Sequence, residues 1–154
     1  MALIDEIQLC ERSAVLIRDY NRLADFERQD IVTHRSNKLW PAAEAGVEKF
    51  GKLPLYYAET IQKGGKVTHT GYMTMIVLNP SKNKEKAQTL REKLANEYEK
   101  YHVEFDTTTF VVEQVEPIRE SFYQYRLEKL SGGAVHENYS REPAYVKHRP
   151  NDFT

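Results

Sequence analysis

Leu53–Thr60 reads L-P-L-Y-Y-A-E-T and Val67–Leu78 reads V-T-H-T-G-Y-M-T-M-I-V-L, with K-G-G-K at Lys63–Lys66 between them. Both runs are rich in the β-branched and aromatic residues that fit a pleated surface. The Gly-Gly pair supplies the backbone freedom of a tight hairpin turn. Pro54 stands at the start of its run, where a strand tolerates a missing N–H. Gly71, inside the second run, predicts a bulge or the close approach of another group. An antiparallel hairpin therefore sits at the centre of the chain, and its flanks set the fold class.

On the N-terminal side, Trp40-Pro41 opens a helix, with proline in the first turn where its absent N–H costs nothing. That helix covers P-A-A-E-A-G-V-E-K-F and stops near Gly51. Further upstream, Leu3, Ile7 and Cys10 recur at helical spacing over residues 2–12. The run S-A-V-L-I-R-D-Y after it reads either as a strand or as more of that helix, because four consecutive apolar residues carry no periodicity. On the C-terminal side, Asn79-Pro80-Ser81 ends the hairpin. Lys82–Tyr101 follows as a helix with Ala87, Leu90, Leu94 and Tyr98 on one stripe. Thr107–Val115 predicts a strand closed by Pro117, and Phe122–Leu130 a short helix ended by Ser131-Gly132-Gly133. Ala-Tyr-Val-Lys at 144–147 offers one more strand. Hairpins pair antiparallel, and helices between strands must cover the sheet. The expectation is an α+β fold: a small curved, mostly antiparallel sheet or open β-barrel flanked by helices. It forms one domain over residues 1–154, with a core of about 13–147 and a tail at 148–154.

The 154 residues give a formal net charge of -1, so no overall basic field announces a polyanionic partner, although a local patch survives such averaging. The single cysteine, Cys10, has no partner for an internal disulfide, which fits a reducing compartment. The start M-A-L-I-D-E lacks a cationic segment followed by a long apolar run, and no stretch reaches the roughly 20 apolar residues that span a bilayer. A cytoplasmic protein without a membrane partner is the expectation, with oligomeric state left open. Ten tyrosines against six phenylalanines and one tryptophan favour half-wet surfaces, since tyrosine joins apolar area to a polar tip.

Catalytic signatures are sparse. The histidines (34, 69, 102, 136 and 148) are too scattered for a metal-ligand cluster, so no metal or cofactor is assigned. Cys10 lies on an apolar helical stripe, as an inert buried thiol does. No nucleophile elbow occurs, and Gly64-Gly65 opens no helix that could cradle phosphate. Glu59 with Lys63 and Lys66 could serve a metal-dependent nucleic-acid-processing enzyme, but no partner aspartate stands on a preceding hairpin strand. No catalytic residue is assigned.

Ring binding is the remaining chemistry. Bases are recognised by stacking on aromatics and by hydrogen bonds to their edges. The polar cluster in I-V-T-H-R-S-N-K-L-W, residues 31–40, leads into Trp40. Tyr56 and Tyr57 follow on the next strand and Tyr72 across the hairpin. Neighbours on a strand face opposite sides, so only one of Tyr56 and Tyr57 can line a pocket. Trp40 itself reads either as a pocket wall or as a plug of the core beneath its helix. Arg35, Lys63, Lys66, Arg141, Lys147 and Arg149 are candidate contacts to a nucleic-acid backbone if they converge. Otherwise they belong to a mixed-charge surface.

The segments S-N-K-L-W, L-P-L-Y-Y-A-E and T-G-Y-M-T-M-I, together with the later T-T-F-V-V-E-Q-V-E-P-I and a short L-x-K-L helix, resemble the PUA-like superfamily. The EVE and YTH branches are the most similar, over about residues 31–147. The G-x-K-x-x-E-x-R motif of the ASCH branch is absent. The resemblance implies a small β-barrel flanked by helices that binds RNA or DNA, with a modified base in an aromatic pocket. Carried onto this chain, Trp40 would stack, Ser36 and Asn37 would read base edges, and Tyr56 or Tyr57 would form the opposite wall. The expectation is thus a non-enzymatic nucleic-acid-binding module. A protein-interaction domain using the tyrosines is a further alternative.

Overall fold

The computed structural model describes residues 13–18, 31–36, 41–59, 65–78, 84–94, 108–136 and 144–153. Six strands form one sheet: β1 (Ser13–Arg18), β2 (Ile31–Ser36), β3 (Leu53–Ala58), β4 (Lys66–Val77), β5 (Thr108–Tyr123) and β6 (Ala144–Lys147). Two helices accompany them, α1 (Pro41–Phe50) and α2 (Lys84–Leu94). The spatial order is β2-β5-β4-β3-β1-β6. Only β1–β3 is parallel, and the other four pairings are antiparallel. The architecture is α+β and mostly antiparallel, as expected. The strand order has two ends, so the sheet is not closed into a barrel.

β3 and β4 are the hairpin read from sequence, with Leu53 opposite Met73 and Glu59 N–H donating to the Lys66 carbonyl at 2.8 Å. The ambiguous run at Ser13–Arg18 is a strand. Its neighbours on either side, β3 and β6, explain its consecutive apolar residues: Ala14 and Leu16 enter one core, Val15 and Ile17 the other. Residues 31–36, to which the sequence reading gave no strand, pair with Thr108–Glu113. The expected helix at residues 2–12 lies outside the described residues, as does the part of the second helix beyond Leu94.

Two cores sandwich the sheet. On one face, Ala42, Ala43 and Val47 of α1 cover Val15, Ile17, Leu55, Tyr57 and Met73. Pro41 opens α1, and Gly51 ends it at φ 84°, with its N–H donating to Val47 O at 2.7 Å. Lys86 of α2 bridges to Glu44 (3.0 Å) and Glu48 (2.8 Å) of α1, tying the two helices together. On the other face, Ala14, Leu16, Tyr56, Ala58, Val67 and Val146 are covered by Leu127 and Val135, with Phe122 and Phe153 packed against them. Residues 148–153 are therefore no loose tail. Pro150–Phe153 form a 3₁₀ turn that seats Phe153 edge-on against Tyr56, with ring centroids 5.0 Å apart.

β5 departs most from expectation. Pro117 does not close it, and the residues from Phe122 do not open a helix. The strand runs to Tyr123, and only Gln124–Arg126 adopt a 3₁₀ turn. Bulges accommodate the sequence. Between the pairs Thr70↔Glu116 and Tyr72↔Glu113, β4 supplies Gly71 alone and β5 supplies Gln114 and Val115, with Gln114 at φ 57°. This is the bulge that Gly71 predicted. A Cβ there would stand 3.0 Å from Val112 Cγ1 and 3.1 Å from Val115 Cγ2. Between Val67↔Phe122 and His69↔Pro117, β4 supplies one residue, Thr68, and β5 four, Ile118–Ser121. Proline suits a strand with a free edge, and beyond Glu113 the only described neighbour of β5 is β4. Past the turn, Gly132 (φ 104°) and Gly133 (φ 80°) reverse the chain so that Glu128 bridges Ala134.

Candidate functional site

The wide bulge of β5 shapes a groove of about 740 Å³. Three segments build it: the bulge itself, the turn at Tyr123–Arg126, and the C-terminal turn at Arg149–Asp152, with Thr70 of β4 contributing from the sheet. The local sequence S-F-Y-Q-Y-R explains the geometry of the turn. Gln124 is buried. It accepts a hydrogen bond from the Arg18 guanidinium and donates through Nε2 to the His136 carbonyl at 2.6 Å. With the middle residue held inward, Tyr123 and Tyr125 are both turned out, at 44% and 46% exposure. Their rings lie parallel, 9° apart in plane and 5.8 Å between centroids. A base inserted between two rings needs roughly twice the ~3.4 Å stacking distance, so these rings form an offset platform rather than a clamp.

Cations stand on both sides of the platform. Lys66 Nζ lies 5.3 Å from the Tyr123 ring and the Arg126 guanidinium 5.9 Å from the Tyr125 ring. Arg149 lies 4.6 Å over Phe122 and pairs through Nε with Asp152 at 3.0 Å. It also donates to the Arg126 carbonyl at 3.3 Å, clasping the two turns together. Arg119, Arg126 and Arg149 in the lining are balanced by Glu116, Glu120 and Asp152. The groove is thus aromatic and polar, with little net charge.

Beneath it, Tyr56 Oη donates to Asp152 Oδ2 at 2.8 Å and accepts from the Arg149 backbone N–H at 3.2 Å. Burial, first, and then the Asp152 carboxylate push the Tyr56 phenol well above the usual tyrosine value.

Several expected site residues are placed differently. Tyr56 and Tyr57 do face opposite sides, but both are 0% exposed, so neither offers a ring face to a ligand. The expectation of one wet tyrosine assumed one wet face, whereas both faces are covered here. Tyr72 is half-buried, with Lys52 Nζ 4.1 Å over its ring. Arg35 and Ser36 pair with Thr109 and Thr108 on β2. Asn37, Trp40, Lys63 and Arg141 lie outside the described residues. The candidate backbone contacts converge only in part. Arg149 lines the groove and Lys66 stands beside its Tyr123 ring, whereas Lys147 pairs with Glu128 at 3.0 Å on the β6 edge. Glu59 is half-buried beside the β3–β4 turn, and among the described residues no three His, Cys, Asp or Glu side chains gather as metal ligands.

Sequence reading missed Tyr123, Tyr125, Arg119 and Arg126. The signal was present in Arg119–Arg126, where three aromatics lie between two arginines, but from Phe122 on it was absorbed into an expected helix. Among the described residues no helix is long and apolar enough to cross a membrane. No protein-family model matches the chain, and no curated protein matches it.

Proposed function

We propose that the chain is a non-enzymatic module that binds single-stranded nucleic acid along the β5 groove, with stacking as the main term. The observation that carries this reading is the outward, parallel Tyr123–Tyr125 platform with Lys66 and Arg126 at its two sides. Every base has a π-face, so such a platform accepts single strands with little regard to sequence. The sheet is mostly antiparallel but is not closed into the small barrel that the PUA-like resemblance implies. The proposed contact surface also moves from Trp40 and Tyr56 to β5 and the C-terminal turn.

The charge balance shapes the expectation. Arg149 is paired with Asp152, while Arg119 and Arg126 of the lining and Lys66 beside the Tyr123 ring are the cations proposed to meet phosphates, next to Glu116 and Glu120. Three phosphate contacts to a single strand give a log–log salt slope of about -2, or roughly a 20-fold loss of affinity between 50 and 200 mM salt. Fluorescence anisotropy with labelled RNA and DNA oligonucleotides tests both points. The double variant Tyr123→Ala/Tyr125→Ala should weaken binding by at least about tenfold, given the worth of a stacked base. Unchanged affinity in that variant, or no wild-type binding at micromolar protein, sinks the proposal.

A further inference from the structure

A second pocket, of about 370 Å³, shares no lining residue with the groove. It lies where the start of β1, the end of α1 and the start of β3 meet the residue after β6. Phe50, Leu53, Pro54 and the ring of Tyr72 make its lining mostly apolar. Its volume falls in the range of about 300–1,000 Å³ that small-molecule sites occupy.

Two basic side chains break the apolar lining. Lys52, exposed, holds its ammonium 4.1 Å from the Tyr72 ring centroid. His148 packs edge-on to Phe153, with ring centroids 4.8 Å apart, and its Nε2 is buried with no hydrogen-bond partner. Because that nitrogen is buried, His148 meets the pocket through the rest of its ring. Burial, the leading effect, lowers the His148 pKa from its ordinary value, although Asp152 opposes it. The imidazole is thus held toward its neutral form, beside the Lys52 ammonium, in an apolar wall.

We infer that this pocket binds a small carboxylate with an apolar body, its anionic end held by the Lys52 ammonium and its body set against His148 and the apolar wall. An aromatic or short acyl body meets Phe50, Leu53 and Pro54. The carboxylate accepts a charge-assisted hydrogen bond from Lys52. A cationic ligand of the same shape meets Lys52 and is repelled. A large polyanion does not fit the volume. The assignment is independent of the nucleic-acid reading, because it uses none of the groove's residues.

Phenylacetate is a suitable probe, and benzylamine is its cationic counterpart of similar size. The imidazole resonances of the intact chain are followed by NMR during titration, with the His148 signal identified by its loss in His148→Gln. Phenylacetate should shift the His148 resonance saturably, with a Kd in the millimolar range or tighter. Benzylamine should leave it in place. Lys52→Ala should weaken phenylacetate by about tenfold through loss of a charge-assisted hydrogen bond, and Lys52→Arg should restore most of it. Lys52 is exposed, so both variants should fold, which unchanged circular dichroism verifies. The Tyr123→Ala/Tyr125→Ala variant should bind phenylacetate as the wild type does. A His148 resonance unmoved by phenylacetate, or moved equally by benzylamine, overturns the assignment.

Discussion

Replacing Tyr56 by Phe tests the bond that seats the C-terminal turn on the sheet. The substitution keeps the ring, which is fully buried and packs edge-on against Phe153 and Phe122. What is lost is one hydrogen bond to a carboxylate, Oη to Asp152 Oδ2 at 2.8 Å, and one acceptor for the Arg149 N–H. Hydrogen bonds to charged groups are worth about 1.5–3 kcal/mol. Asp152 keeps its Arg149 Nε partner, so the middle of that range, about 2 kcal/mol, is expected. In a chain of this length that lowers Tm by about 4–8 °C and the urea midpoint by about 1 M. The pH dependence follows from the sign of the shift. A phenol whose pKa is raised on folding contributes stability that is complete below the ordinary tyrosine pKa near 10 and is lost as pH rises above it. The stability gap between wild type and Tyr56→Phe should therefore be widest near neutrality and close above about pH 10. Urea titrations at pH 7 and above pH 10 read both effects. A variant as stable as the wild type at pH 7, or a gap that persists unchanged into alkali, refutes the account.

Gly71→Ala places a methyl group 3.0–3.1 Å from two valine side chains, so overpacking should cost about 1–3 kcal/mol by denaturant titration. A neutral result would mean that the β5 bulge yields freely. Lys86→Ala removes both links from α2 to α1. Because the lysine is half-buried at the surface and stays reachable by solvent, the loss should be no more than about 1 kcal/mol and should shrink in 1 M salt, where screening acts within about 3 Å. A larger, salt-independent loss would show that this pair does more than join two surfaces.

The sheet was legible wherever a strand's residues declare their own boundaries. The β3–β4 hairpin is signalled in sequence by the Gly64-Gly65 pair, of which Gly65 adopts φ 67° just ahead of β4, and α1 carries its limits in Pro41 and Gly51. Gly71 gave away its bulge because a strand interior rarely keeps a residue with no side chain unless something must come close. The run at 14–17 could not declare itself: a strand buried on both faces has no alternation, and only its pairing to β3 and β6 identifies it. The extent of β5 was hidden for a related reason. Pro117 ends most strands, and the bulge that spares this one depends on Thr68, a residue some fifty positions earlier. The proposed groove lies away from the expected pocket because tyrosines were weighed by their neighbours in sequence. Tyr56-Tyr57 stands inside a doubly covered sheet and became core. Tyr123-Gln-Tyr125 was turned outward by the hydrogen bonds of Gln124 to Arg18 and to the His136 carbonyl, partners that sequence spacing does not reveal.

The unequal bulge between β4 and β5 divides the chain into parts with different freedom to change. At Val111 and Val112, both fully buried, one inserted residue would exchange side chains between the two faces of the sheet, so length there is constrained by packing. At Ile118–Ser121, four residues already stand opposite one; Ile118 packs on the core, but Arg119, Glu120 and Ser121 are exposed, and adding or removing a residue among them alters the rim of the groove. Homologous chains, or designed variants, can thus exchange loop length and composition at the proposed contact surface while leaving the sheet in register.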